Sequence, residues 1–145
     1  MKIGIVEDLP LTALTLQQAV ALNPAHQVIW TAGSGAEALA RCTTDKPDLV
    51  LLDLLMADMD SSVIIHRIMA SSPCAILIVT DSVPANAVRV FDLMGCGALD
   101  AVDVPATTSA NLEQVARPLL MKIDTIARLI GETNENRWAR TARAD

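Results

Sequence analysis

Two unbroken apolar runs in this chain end on carboxylates, and no other feature narrows the possible folds as far. Ile3-Gly4-Ile5-Val6 leads into Glu7-Asp8, and Leu49-Val50-Leu51-Leu52 leads into Asp53. Runs without polar alternation fit strands of a parallel sheet covered on both faces. A buried strand that stops on a carboxylate delivers that group to the sheet's carboxyl edge, where open α/β proteins bind ligands. Three carboxylates are thereby aimed at one place. Crowded carboxylates raise one another's pKa unless a cation neutralises them, and hard oxygen donors suit Mg2+ or Mn2+. The expectation is a metal-dependent phosphoryl site.

The rest of the chain repeats the same grammar. Short apolar runs alternate with amphipathic stretches, the pattern of βα units. Strands are expected at Lys2–Val6, Gln27–Thr31, Leu49–Asp53, Ala75–Thr80 and Ala98–Val102. Helices are expected at Leu11–Leu22, Gly35–Thr44, Ser61–Ala70, Pro84–Met94 and Ala110–Ile130. Pro84 suits a first helical turn, Asp60 can cap the third helix, and Gly95-Cys96-Gly97 closes the fourth. The last helix repeats apolar residues at Leu112, Val115, Leu119, Ile123, Ile126 and Ile130, one continuous stripe interrupted by Pro118. A helix of some twenty residues spans about 30 Å, so its second half is expected to leave the domain and bury its stripe elsewhere. From Gly131 the chain turns polar and then basic around Trp138, which reads as a linker or tail over 131–145 behind a domain of 1–130.

Bulk properties exclude several classes. The 145 residues make one domain, and a hydrophobic share of 52% fits a sheet buried on both faces. No apolar stretch approaches the eighteen or so residues of a spanning helix, so no membrane role is expected. Met1-Lys2 runs straight into the first strand without a signal peptide's apolar segment, and a cytoplasmic address follows as an expectation. Cys42, Cys74 and Cys96 show no CxxC pairing and read as small apolar fillers. A net charge of −6 with no basic cluster before the tail argues against a nucleic-acid surface. His26 and His66 have no ligating or catalytic motif around them and are expected at the surface.

With Glu7-Asp8 closing the first strand, Asp53 the third and Thr80 the fourth, residues 1 to about 130 resemble the receiver domain of two-component response regulators. Further stretches agree: Ala32-Gly33-Ser34-Gly35-Ala36-Glu37-Ala38-Leu39, Leu52-Asp53-Leu54-Leu55-Met56-Ala57-Asp58-Met59-Asp60, and Gly97-Ala98-Leu99-Asp100 followed by Pro105. Within the family, Gly97-Ala98-Leu99-Asp100-Ala101-Val102-Asp103 and Lys122-Ile123-Asp124-Thr125-Ile126 look most like the regulatory half of the chemotaxis protein-glutamate methylesterases. The resemblance implies a flavodoxin-like doubly wound sheet in the order 2-1-3-4-5 with five flanking helices. It implies Asp53 as acceptor of a phosphoryl group from a histidine kinase, and Mg2+ or Mn2+ held by Glu7, Asp8, Asp53 and the Leu55 backbone carbonyl. It also implies that Thr80 hydrogen-bonds a phosphoryl oxygen. The partners implied are that kinase and either a downstream methylesterase domain or a second copy through the last helix. A cis bond at Val104-Pro105 belongs to the same pattern.

The sequence departs from that pattern at named positions. Val104 stands where receivers usually carry a lysine, Asp81 where they prefer a small neutral residue, and Ala101 where many carry an aromatic. Ala57 and Ser61 replace the usual proline and glycine of the phosphorylation loop and are expected to loosen it. A degenerate receiver serving as a docking or dimerisation module is therefore one rival. Another is a nucleotide-binding enzyme, because Gly33-Ser34-Gly35-Ala36-Glu37-Ala38 meets the G-x-G-x-x-G/A template with Asp53 twenty residues on. No G-x-S-x-G element is present for an esterase.

Overall fold

The computed structural model describes residues 1–104 and 111–144, with side chains through residue 131. The strands are β1 (Lys2–Val6), β2 (Gln27–Ala32), β3 (Leu49–Asp53), β4 (Ala75–Thr80) and β5 (Asp100–Asp103). The helices are α1 (Pro10–Ala21), α2 (Gly35–Thr44), α3 (Ser61–Ser71), α4 (Ala87–Cys96) and α5 (Leu112–Ala144). All strand pairs are parallel, in the order β2-β1-β3-β4-β5. The expected flavodoxin-like order is thus observed. Strand order reverses beside β1 and β3, which places their carboxyl ends at the topological switch point.

Each central strand feeds two cores because successive side chains point to opposite faces. Val50, Leu52, Ile76 and Ile78 join the core under α2, α3 and α4. Leu49, Leu51, Leu77 and Val79 join the core under α1 and α5. At about 25 cal/mol per Å2 of apolar surface removed from water, these double-sided runs anchor the sheet. Trp30 crosses from β2 over β1, and its indole Nε1 donates to the Asp45 carbonyl at 2.9 Å. Gly4 makes that crossing possible, since a Cβ there would lie 2.5 Å from the Trp30 ring. The β1–β2 register shifts between Ile3 and Gly4, at the same place.

Some boundaries differ from the sequence expectation, for physical reasons. Helix α4 starts at Ala87, about one turn after Pro84, because Asn86 turns its amide back to Ser82 O (2.9 Å) and holds residues 83–86 as turn. Gly97 closes α4 at φ +131, a backbone value that L side chains rarely adopt. Strand β5 begins at Asp100, after Leu99 N has donated to Ile76 O. Helix α5 carries through Pro118 and past Gly131 to Ala144, so its backbone extends into the polar segment expected as a linker or tail. Its stripe does not leave the domain. Val115, Leu119, Ile123 and Ile126 are buried in the chain's own core against the sheet and α1.

Three polar contacts hold α5 in that place. Lys122 Nζ pairs with Asp100 Oδ2 at 2.6 Å. Asp124 Oδ1 meets His26 Nε2 at 2.8 Å and accepts from Asn23 Nδ2 at 3.4 Å. His26 is accordingly buried, not at the surface as its isolation in sequence implied, while His66 is exposed. The bond at Val104-Pro105 lies outside the described residues. Burial pushes the Cys42 thiol up to about 11 and the Cys74 thiol up to about 12, which suits inert fillers.

Candidate functional site

The ends of β1 and β3 bring Glu7, Asp8 and Asp53 together, with one carboxylate oxygen of each lying within 4.8 Å of the others. Val6 pairs with Leu52 across these strands, so the residues following them leave the sheet side by side. Glu7 is buried, and Asp8 and Asp53 are half-buried. Glu7 Oε1 accepts from Leu9 N at 3.1 Å. Burial foremost, with the neighbouring Asp53 and Asp8 charges adding to it, pushes the Glu7 carboxyl up to about 8. Asp53 is raised as well, chiefly by burial and further by Asp8. Two neighbouring carboxyls raised in this way mark negative charge in need of a counterion. An all-oxygen donor set of this kind fits a hard divalent cation.

The β3–α3 loop is fastened to this cluster. Ala57 N donates to Asp8 Oδ2 at 2.9 Å, and Leu55 N reaches Asp53 Oδ1 at 3.4 Å. Ser61 is fully buried, and its hydroxyl reaches both the Asp53 and Leu54 carbonyls at 3.0 Å. Ser61 therefore tightens the turn that it was expected to loosen. Asp60 caps α3 as expected, accepting from Ser62 N at 2.8 Å. Ser62 and the Arg89 guanidinium of α4 hold its carboxyl down to about 2.

Thr80, at the end of β4, is buried and lies on the wall of the same cleft. The cleft has a volume of about 610 Å3 and is also lined by Glu7, Asp8, Asp53, Leu55, Asp81, Asn86 and Val104. Among the described residues lining it, none is lysine or arginine. Val104 N donates to Thr80 O at 2.8 Å, and its side chain packs into the core beneath α1 and α5. Lys122 is engaged with Asp100, while Lys2 opens β1 and Lys46 lies just before β3, at the opposite edge of the sheet. All the candidate side chains thus meet in one place, while the expected ammonium has no substitute among them.

Sequence reasoning missed Asn86, whose amide reaches Thr80 Oγ1 at 3.1 Å. It also missed Asp103, which accepts from Val83 N at 2.5 Å and ties β5 to the β4–α4 loop. The glycine-rich opening of α2 proves to be filled from within. Ser34 caps it by accepting from Glu37 N at 3.1 Å. Asp58 accepts from Gly35 N at 2.9 Å and Ala36 N at 3.3 Å, and the first of these bonds holds its carboxyl low. A carboxylate already sits where a pyrophosphate would bind, which removes the structural basis of the nucleotide reading.

A doubly wound parallel sheet that gathers three carboxylates and a threonine at its switch point defines a class, the response regulators' receiver domains. The chain belongs to that family, whose model, described as the response regulator receiver domain, matches residues 3–116. Its curated relatives include protein-glutamate methylesterase/protein-glutamine glutaminase 3 of Pseudomonas aeruginosa, 52% identical over 132 residues, covering 91% of this chain and 39% of that protein. A second such protein, from Burkholderia pseudomallei, is 51% identical over 130 residues, covering 90% of this chain and 38% of that one. The chain spans about two fifths of the length of these relatives. Among solved structures, the response regulator domain of Thermotoga maritima CheB aligns with a TM-score of 0.79 at 24% identity, covering 87% of this chain and 95% of that one.

Proposed function

We propose that this chain is a phosphoryl-accepting receiver of a chemotaxis-type two-component system, regulating a methylesterase output domain carried by a longer protein. The convergence of Glu7, Asp8 and Asp53 carries the reading. An Asp53 carboxylate oxygen attacks phosphorus on a histidine kinase's phosphohistidine. The bond from phosphorus to the imidazole nitrogen breaks, and its electron pair stays on that nitrogen, which takes a proton. Glu7, Asp8, Asp53 and the Leu55 carbonyl would hold Mg2+ or Mn2+, which when bound offsets charge on the transferring oxygens. Thr80 would donate to a phosphoryl oxygen.

The relatives' names support the output domain, and one chain of a solved structure described as the P1 domain of CheA3 in complex with CheY6 from R. sphaeroides has this fold, at a TM-score of 0.72 and 22% identity. No helix among the described residues is long and apolar enough to cross a membrane. The docking-module reading keeps one specific support, the cleft wall with Asp81 and without a cation. Transfer of labelled phosphate from a phosphorylated histidine kinase decides between the two. Label that reaches wild-type chain and fails to reach Asp53→Asn supports the receiver, and label on neither supports the docking module.

A further inference from the structure

The Thr80 hydroxyl is fully committed before any phosphoryl group arrives. It donates its one proton to Asp81 Oδ1 at 3.3 Å. Its oxygen accepts from Asn86 Nδ2 at 3.1 Å and from Ser82 N at 3.4 Å. The Asn86 amide closes the ring, reaching Asp81 Oδ1 at 3.4 Å and Ser82 O at 2.9 Å. A hydroxyl offers one donor and two acceptor sites, so every site on Thr80 is taken. A phosphoryl oxygen bearing negative charge accepts and does not donate. Only the Thr80 proton can serve it, and that proton is engaged in the hydrogen bond to Asp81.

From this geometry we propose that Asp81 and Asn86 are positioning residues which latch Thr80, and that phosphoryl uptake at Asp53 has to break the Thr80–Asp81 bond first. The proposal rests on the phosphoacceptor reading and adds the regulation of that site. The latch is soft, because bonds of 3.3 to 3.4 Å exceed the usual hydroxyl and amide range. It is also connected outward. Asn86 stands at the N-cap of α4 yet makes no side-chain cap, and its amide nitrogen donates instead to Thr80, Asp81 and Ser82. Within the next turn, Arg89 bonds Asp60 at the start of α3. Withdrawing the Thr80 hydroxyl therefore deprives Asn86 of an acceptor and changes what holds the first turn of α4.

The test compares Asp81→Asn, which keeps a side-chain oxygen as acceptor and drops the charge, with Asp81→Ala, which removes both. In the unphosphorylated full chain, three-bond couplings should report one Thr80 rotamer in wild type and Asp81→Asn, and averaged rotamers in Asp81→Ala. Uptake of phosphoryl from phosphoramidate should be faster in Asp81→Ala than in Asp81→Asn by about fivefold, the equivalent of one ordinary hydrogen bond. In a Thr80→Ala background that gap should vanish. Equal uptake in the two Asp81 variants would show charge alone at work and overturn the latch. So would an unchanged Thr80 rotamer in Asp81→Ala, or a gap that survives Thr80→Ala. Absence of uptake in every variant would instead overturn the phosphoacceptor reading, and the proposal with it.

Discussion

At the scale of single residues, Glu7 makes the proposed cation site sensitive to pH. Its carboxyl titrates near 4.5 in an unfolded chain and at about 8 in the fold. A raised carboxyl pKa contributes stability that is fully present below the unfolded value and is lost as pH rises through the folded one. The metal-free protein should therefore lose stability across that window as Glu7 ionises against Asp53 and Asp8. A divalent cation competes with the proton, so Mg2+ should raise the melting temperature more above pH 8 than near pH 5. Thermal melts with and without Mg2+ at the two pH values check this, and an equal rise at both contradicts it. The acids themselves were legible in sequence because each closes an apolar strand. Asn86, Ser61 and His26 were not. Asn86 and Ser61 act through loop geometry that no periodicity announces, and the partner of His26, Asp124, lies on a distant helix.

At the scale of elements, β1 and β2 depend on a glycine whose purpose is visible only in three dimensions. Adding a methyl at Gly4 would press on Trp30 Cη2 and Cζ2 at 2.5 Å. Overpacking of this kind costs about 1–3 kcal/mol, so Gly4→Ala should lower the urea midpoint by that equivalent. Replacing Trp30 by leucine in the same chain should recover part of the loss. An unchanged midpoint would mean that the ring moves aside freely. The apolar stripe of α5 illustrates a different limit of sequence reading. A helix face at three-four spacing looks the same whether it covers its own sheet or a partner's. Here it covers its own, with Leu119 and Ile123 fully buried, so the stripe does not supply the surface expected to meet either a second copy or a downstream domain. The strands were read closely because double-sided burial leaves continuous apolar runs. Helix α4 starts later than expected because Pro84 suits a turn as well as it suits a first helical turn.

At the scale of the whole molecule, the acidic cleft and the missing ammonium pull against each other. The cluster invites a cation and a phosphoryl group, while Asp81 and Val104 supply a negative charge and an apolar wall where an attractive contact is usual. Phosphorylation should therefore proceed and move β5 and α5 weakly. Val104 is buried and bonded through its backbone to Thr80, so a lysine there has to direct its stem out of the core and into the cleft. Val104→Lys should enlarge the change in amide exchange along β5 and α5 on phosphorylation, through a charge-assisted contact with the phosphoryl group. An exchange pattern that matches wild type would place the signal elsewhere. Everything rests on Asp53 taking the phosphoryl group, and the direct measurement is the mass of the intact chain after incubation with acetyl phosphate. One added phosphoryl group is expected, mapped to Asp53, dependent on Mg2+ and absent in Asp53→Asn. No addition to the wild-type chain in the presence of Mg2+, or addition that persists in Asp53→Asn, would contradict it.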